Sequence, residues 1–447
     1  MSDSDTICAI ATPPGTGGIG IVRLSGPGVP EVAEGILGSL PAPRHAKLTD
    51  FVNADGKTLD SGIALYFPKP SSFTGEHVLE LQGHGGVVVL NLLLQRALEL
   101  GARMARPGEF SERAFLNGRI DLVQAEAIAD LIESGTEAAA RAAQRSLEGR
   151  FSTEIRAFQK AITELRVFVE SAIDFPDEEI DFLSESDVTE QVLSVINQLE
   201  NLLVRTQQGR LLRDGIVIAI TGRPNAGKSS LLNALAESDV AIVTDIPGTT
   251  RDVLREQIHI DGVPLHVMDT AGIRDTEDPI EIEGIRRARG ALASADIILN
   301  VIDATTSDIE LYKDKNSGIH VLNKIDLLDK TGRVEFENAC KRGEISGVPV
   351  SAKTGEGLES LKSTILMGVG AGQAQEGSFS ARQRHIDALR RVQNHLREGR
   401  SQLIDNQAGE LLAEELRLAQ KALGEITGEV TPDDLLGEIF SSFCIGK

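Results

Sequence analysis

The stretch "GIVIAITGRPNAGKSSLLNALAE", residues 215 to 237, constrains what this chain can fold into more than any other. A short apolar run that reads as a buried strand leads into "GRPNAGKSS", residues 222 to 230, and then into text with helical apolar spacing. A glycine-rich loop held between a strand and a helix turns successive backbone N–H groups toward one point. The positive end of the helix adds to them, and the result is a cradle for phosphate oxygens. Gly222 and Gly227 permit the curl, Lys228 supplies a point charge for β/γ-phosphates, and the Ser229 hydroxyl can ligate Mg2+. Asn225, Ala226 and Ser230 complete the loop. A ligand-free glycine turn would account for this segment alone, but not for the elements that follow it.

Those elements come in order at the ends of further strand-like segments. "DTAG" offers Asp269 to the water shell of a metal and, after Thr270 and Ala271, the Gly272 N–H to a γ-phosphate. "TDIPGTT" supplies Thr244, Asp245, Ile246, Pro247, Gly248, Thr249 and Thr250, with Thr250 the switch residue expected to close on Mg2+ and γ-phosphate. In "NKID", Asn323 and Lys324 precede Asp326, whose carboxylate accepts the N1 and N2 donors of guanine, a pair that adenine lacks. Ser351, Ala352 and Lys353 complete the base pocket. The set predicts an enzyme that binds GTP and GDP and hydrolyses GTP. The position after "DTAG", where many such enzymes carry a water-orienting glutamine, is Ile273, and the sequence assigns no arginine to the transition-state charge. Asn225, with backbone carbonyls of "TDIPGTT", can hold a monovalent cation there; it can equally serve by side-chain hydrogen bonds that stabilise the loop.

At 447 residues the chain is long for one domain, since domains run to about 100–200 residues. Residues 1–118 alternate short apolar segments with Gly and Pro and read as an α+β domain. Residues 119–213 turn helical, with Phe151, Ile155, Phe158, Ile162, Leu165, Val169 and Ile173 forming one apolar stripe broken near "DFPDEEIDF". Residues 214–372 alternate strands and helices in the rhythm of a parallel, doubly wound sheet, and helical spacing resumes over 373–447. The simplest architecture is therefore a multidomain α+β and α/β chain in which a helical domain is interrupted by an inserted P-loop domain; a tandem of four units is the alternative.

A net charge of -22 repels phosphate backbones, so any nucleic acid must meet a local basic patch or a partner. Cys8, Cys340 and Cys444 show no metal-binding or disulfide spacing, which points to a reducing, cytoplasmic setting. The opening "MSDSDTICAI" does not read as a secretory signal, and the longest apolar run, "VVVLNLLL", is far too short for a membrane span.

"DTICAIATPPGTGGIGIVRLSG", "GRPNAGKSS", "TDIPGTTRD", "DTAGIR", "NKID" and the final "FCIGK" together resemble the MnmE (TrmE) family of tRNA modification GTPases along essentially the whole chain. The resemblance implies a folate-binding-like N-terminal domain that dimerises, a helical domain and an inserted Ras-like G domain. It implies that Asn225, with Thr244, Ile246 and Thr249, binds K+ and so answers for the missing arginine, and that Glu281 orients the attacking water. It further implies that Arg23, Glu80, Arg119 and Lys447 line a site for a tetrahydrofolate derivative, 5-formyl- or methylene-tetrahydrofolate. The implied partners are tRNA, a second copy of the chain, and an MnmG-type flavoprotein that carries the FAD. The implied product is an aminomethyl or carboxymethylaminomethyl group at C5 of a wobble uridine, with Cys444 a candidate nucleophile. From the residues alone, each folate candidate reads as a surface or structural charge, a reading that only the resemblance reverses, and Cys444 reads equally as a packed thiol.

Two other functions fit the G-domain motifs. A ribosome-assembly switch would carry an RNA module such as a basic GxxG domain, which the text does not show. A folate-dependent methyltransferase with a merely regulatory G domain would modify uridine without GTP hydrolysis. In the tail, Thr431 can cap and Pro432 can begin a helix whose Leu435, Ile439 and Phe443 form an apolar face able to dock Cys444 and Lys447 at the N-terminal domain.

Overall fold

The computed structural model describes residues 5–174, 186–237, 255–260, 262–269, 295–306, 318–329, 347–369, 378–406, 408–430 and 433–446, with scattered positions between 331 and 342. The chain divides into two compact units, Met1–Ala129 with Leu423–Lys447, and Asp130–Ala422. The second therefore holds long helices and nucleotide motifs together, and the final segment belongs with the N-terminal unit rather than with the helical stretch before it.

The first unit is built on a sheet of β1 (Ile7–Ile10), β2 (Gly17–Ser25), β3 (Lys47–Val52), β4 (Thr58–Phe67), β5 (Val78–Gly85) and β6 (Arg103–Met104), in the order β3-β4-β5-β2-β1-β6. All pairings are antiparallel except β1 with β6. Period-two alternation buries Val22 and Leu24 of β2 and Leu79 and Leu81 of β5 against helices Val29–Leu37 and Val87–Glu99. In the first of these helices Val29, Val32, Ala33, Ile36 and Leu37 form the buried face, and Gly38, at φ 71°, ends it in the left-handed conformation. Each such aliphatic side chain removed from water stabilises the unit by about 2 kcal/mol.

The tail is anchored here. Ile439, Phe440 and Phe443 are buried with Leu122 and Ala125, and the Phe115 ring lies 6.3 Å from that of Phe440. The Gly108 N–H donates to the Cys444 carbonyl at 3.3 Å. Gly108 and Gly446 must both be glycine: φ is +65° and +94°, and an added Cβ would meet Phe440 O and Ile10 O, respectively, each at 2.5 Å. The helix Asp433–Ser441 follows Thr431 and Pro432, which lie outside the described residues.

An ion network also holds this unit. Arg103 donates to Asp5 and Glu109, and Arg113 to Asp5, Glu76 and Glu109. Burial works to raise the Glu109 carboxyl, but hydrogen bonds from Arg103, the Arg106 N–H and Arg113 outweigh it and hold the group below its ordinary 4.5. A carboxyl depressed in the folded state is protonated first in the unfolded chain. Its contribution is therefore whole above about pH 4.5 and is lost as pH falls through the folded value. Urea unfolding should show a smaller loss of stability between neutral pH and about pH 3 for Glu109→Gln than for the native chain, and equal losses would contradict the network's role.

In the second unit the helices Arg150–Asp174 and Ser186–Asp214 pack together, with Phe151, Ile155, Phe158, Ile162, Leu165 and Val169 buried and Ile173 only half-buried. "DFPDEEIDF", between them, lies outside the described residues. The helix Gln383–Asn406 packs against Ser186–Asp214, and the Phe151 and Phe379 rings stack at 4.4 Å. Elements on either side of the nucleotide motifs thus share one helical frame, as an insertion requires.

The inserted sheet comprises β7 (Ile216–Thr221), β8 (Arg255–Ile260), β9 (Val263–Asp269), β10 (Ile297–Asp303), β11 (Ile319–Asn323) and β12 (Val348–Pro349), in the order β12-β11-β10-β7-β9-β8. The expected parallel pattern holds from β12 to β9 and departs from it at β8, which pairs antiparallel with β9. The connection is too short for a crossover, and Gly262 turns it at φ 80°.

Candidate GTP site

β7 runs directly into the glycine loop, and the helix Lys228–Glu237 leaves it. Gly222 (φ 142°) and Gly227 (φ 93°) curl the loop, and a Cβ on Gly222 would meet Val301 O at 2.2 Å. Asn225 is also left-handed at φ 64° and its side chain is exposed. That backbone conformation gives a reason for asparagine, which tolerates it, independent of either sequence reading. Lys228 Nζ donates to the Gly222 and Arg223 carbonyls at 2.9 and 3.2 Å, so it lies over the loop that would receive phosphate. Ser229 and Ser230 are exposed in the first helical turn.

The base-side motifs are joined to this loop. Asn323, 2 % exposed, donates from Nδ2 to Ala226 O and accepts the Ala352 N–H at Oδ1, each at 3.0 Å. One amide thereby fixes the spacing between phosphate loop and base pocket, a scaffold role that the sequence reading, which placed Asn323 among the nucleotide contacts, did not identify. Ser351 Oγ accepts the Thr354 N–H at 3.2 Å and donates to Asp326 Oδ1 at 2.7 Å, aiming the carboxylate. Lys324 sits at φ 68° and donates to Asp303 at 2.7 Å. Partial burial acts to raise the Asp303 carboxyl, but the Lys324 and Thr305 hydrogen bonds outweigh it and hold it below the usual aspartate range. Asp303 was not picked out from the sequence. Its signal lies in the parallel register of β10 and β11, which sets Asp303 beside Asn323.

Ala226 is buried beneath the loop, Ala352 half-buried and Lys353 exposed. Asp269 ends β9, in register with Ile220 of β7, so its backbone lies one strand from the loop. Thr244, Asp245, Ile246, Pro247, Gly248, Thr249, Thr250, Thr270, Ala271, Gly272, Glu281, Cys340 and Lys447 lie outside the described residues.

In the N-terminal unit Arg23 and Glu80, opposite each other on β2 and β5, form an ion pair at 2.9 Å, and the Arg23 guanidinium lies 5.9 Å from the Phe110 ring centre. Arg119 is exposed, packing its methylenes near Gly75. Cys444 is exposed, whereas burial pushes the Cys8 thiol up to about 11. No helix among the described residues is long and apolar enough to cross a membrane.

Comparison with known proteins covers both units. The family profile for the MnmE helical domain matches residues 122–444, and that for the GTP-binding protein TrmE N-terminus matches residues 6–119. The tRNA modification GTPase MnmE of Methylococcus capsulatus is 56% identical over 450 residues, covering 100% of this chain and 99% of that protein. The protein of the same name from Alkalilimnicola ehrlichii is 57% identical over 454 residues, covering 99% of each. Among solved structures, Aquifex aeolicus Era bound to GDP·AlF4− matches at 30% identity over 40% of this chain and 66% of that one, with a TM-score of 0.27.

Proposed function

The chain belongs to the MnmE family of tRNA modification GTPases, and from that membership we propose that it hydrolyses GTP to GDP and phosphate as part of installing an aminomethyl or carboxymethylaminomethyl group at C5 of the wobble uridine of certain tRNAs. The observation that carries this reading is the 56% identity along the whole chain to a protein so named, with no domain left unmatched. The loop, the Asn323 tie and the aimed Asp326 supply the geometry a GTPase needs. Backbone N–H groups bind and orient the phosphates, and Asp326 selects the base. Glu281 holds the attacking water in the role left by Ile273.

Bound Mg2+ neutralises charge on the phosphates; Ser229, exposed beside the loop, and Thr250 are its ligands in this reading. The exposed, left-handed Asn225 fits one ligand of K+, with Thr244, Ile246 and Thr249 supplying the others. Exchanging K+ for Na+ should slow GTP turnover about tenfold or more, a loss typical of removing one charge-stabilising group; equal rates in both salts would remove Asn225 from this role.

Arg23, Glu80, Arg119 and Lys447 form the proposed tetrahydrofolate site. Glu80 Oε2 has only a long 3.4 Å contact with Gln82 beside the Arg23 pair, which leaves it able to accept pterin N–H donors. Cys444 is the candidate nucleophile toward uridine. The chain acts as a homodimer in the cytoplasm with an MnmG-type flavoprotein that carries the FAD, a division that suits a net charge of -22 by leaving part of the tRNA grip to the partner. Mass spectrometry of wobble uridines from cells lacking the chain should show the modified base lost and its precursor accumulated. Unchanged modification would overturn the reading.

A further inference from the structure

The carboxylate of Asp130 gathers three segments far apart in the chain. It is 7 % exposed. Oδ1 accepts from Arg213 Nε at 2.6 Å and from Arg382 at 2.7 Å, and Oδ2 accepts from Ser380 Oγ at 2.6 Å. Arg213 stands where the chain enters the nucleotide sheet, and Ser380 and Arg382 where it has returned to the helices. Arg213 also pairs with Asp214, and burial, which would lower its pKa, is outweighed by the charges of Asp130 and Asp214.

This ring grips the ends of two strands opposite their nucleotide motifs. β7 starts immediately after Gly215, whose φ of 72° and 2.5 Å approach of a would-be Cβ to Pro264 O admit no side chain, and β7 ends at the phosphate loop. β9 carries His266, which donates from Nε2 to the Asp214 carbonyl at 3.0 Å, and ends at Asp269. Thr136 Oγ1 adds a bond to Gly262 O, at the start of β9, at 2.9 Å. A cavity of about 200 Å3 borders the ring between Asp130, Glu133, Arg213, Asp214 and His266, so the ion pairs have room to rearrange where a close-packed interior would forbid it.

We propose that Asp130 is the positioning residue that couples nucleotide state to uridine modification, by holding the base of β7 and β9 to the helices by which the chain enters and leaves the nucleotide sheet, Ser186–Asp214 and Gln383–Asn406. A shift at the phosphate end of either strand is transmitted to its other end because a paired strand moves as a rod, and the Asp130 ring passes it to those two helices. The inference rests on the GTPase and tRNA-modification reading above.

The test uses the full chain. GTP turnover is measured on purified protein, and modified wobble uridine per molecule of chain in cells that express only the variant. Asp130→Asn should keep GTP turnover within about twofold while uridine modification falls about tenfold, a change of the size seen when coupling networks are cut. A purely structural Asp130 would lower both in proportion to the folded fraction, and an unchanged ratio of the two overturns the inference. If Asp130→Asn does not fold, Arg382→Lys keeps the charge but loses the planar fork, and should lower the ratio about threefold; no change again overturns it. A native chain that turns over GTP yet restores no modified uridine fails the functional reading instead, before any variant is compared.

Discussion

Replacing Asp326 by asparagine should lower kcat/KM for GTP by about a thousandfold or more and make XTP the better substrate, because a site built on paired hydrogen bonds rejects the wrong partner by about 10^4. The direction follows from the polarity of the bonds around Ser351. Its hydroxyl accepts the Thr354 N–H, so its single proton is committed to Asp326 Oδ1. Ser351 is fully buried and its own N–H is fixed to Glu356 O at 2.8 Å, so this donor cannot turn away. An asparagine at 326 must keep its amide oxygen toward Ser351 and therefore presents its NH2 to the base. Guanine brings two donors to that place and xanthine a carbonyl, so the first is repelled and the second accepted. Competition kinetics with GTP and XTP check the result, and retained GTP preference would refute the assigned pocket.

What the sequence made legible was what is local. The phosphate loop, Asp326 and Ser351 sit at strand ends, where a few consecutive residues state both the turn and its chemistry, and the helical stripe from Phe151 to Val169 is carried by spacing alone. Register was not legible. Arg23 and Glu80 read as separate ligands for one molecule until β2 and β5 set them opposite each other, and Asp303 acquired a role only beside Asn323. Phe440 was passed over because the expected tail stripe, Leu435, Ile439 and Phe443, skips it, although it is the most buried of the tail aromatics. β8 was passed over because "REQIHI" is mostly polar, with only Ile258 and Ile260 apolar, as an edge strand allows, where the neighbouring strands are nearly continuous runs. The Asp130 ring spans 83 and 252 residues of sequence, a separation at which no motif scan operates.

Gly227→Ala should weaken GDP and GTP binding by about a thousandfold, through the scaffold rather than through any contact to nucleotide. At φ 93° a Cβ on residue 227 would lie 2.3 Å from Asn323 Nδ2. That nitrogen is not the end of a flexible chain: the amide is clamped on both sides, to Ala226 O and the Ala352 N–H, so moving it breaks the tie between phosphate loop and base pocket. Two buried hydrogen bonds lost at about 1–1.5 kcal/mol net each, with about 1–2 kcal/mol for the left-handed backbone, give about 4 kcal/mol or a factor of about 10^3. An empty loop can relax out of this conformation but must return to it to hold phosphate, so the cost appears in affinity. Gly355→Ala is the control, since Gly355 has φ +82° and nothing within 4 Å of its would-be Cβ. It carries the backbone penalty without the collision and should lose only about tenfold. Calorimetric titration of both variants with GDP separates the contributions: equal losses would mean that the Asn323 amide yields freely and does not set the distance between phosphate loop and base pocket.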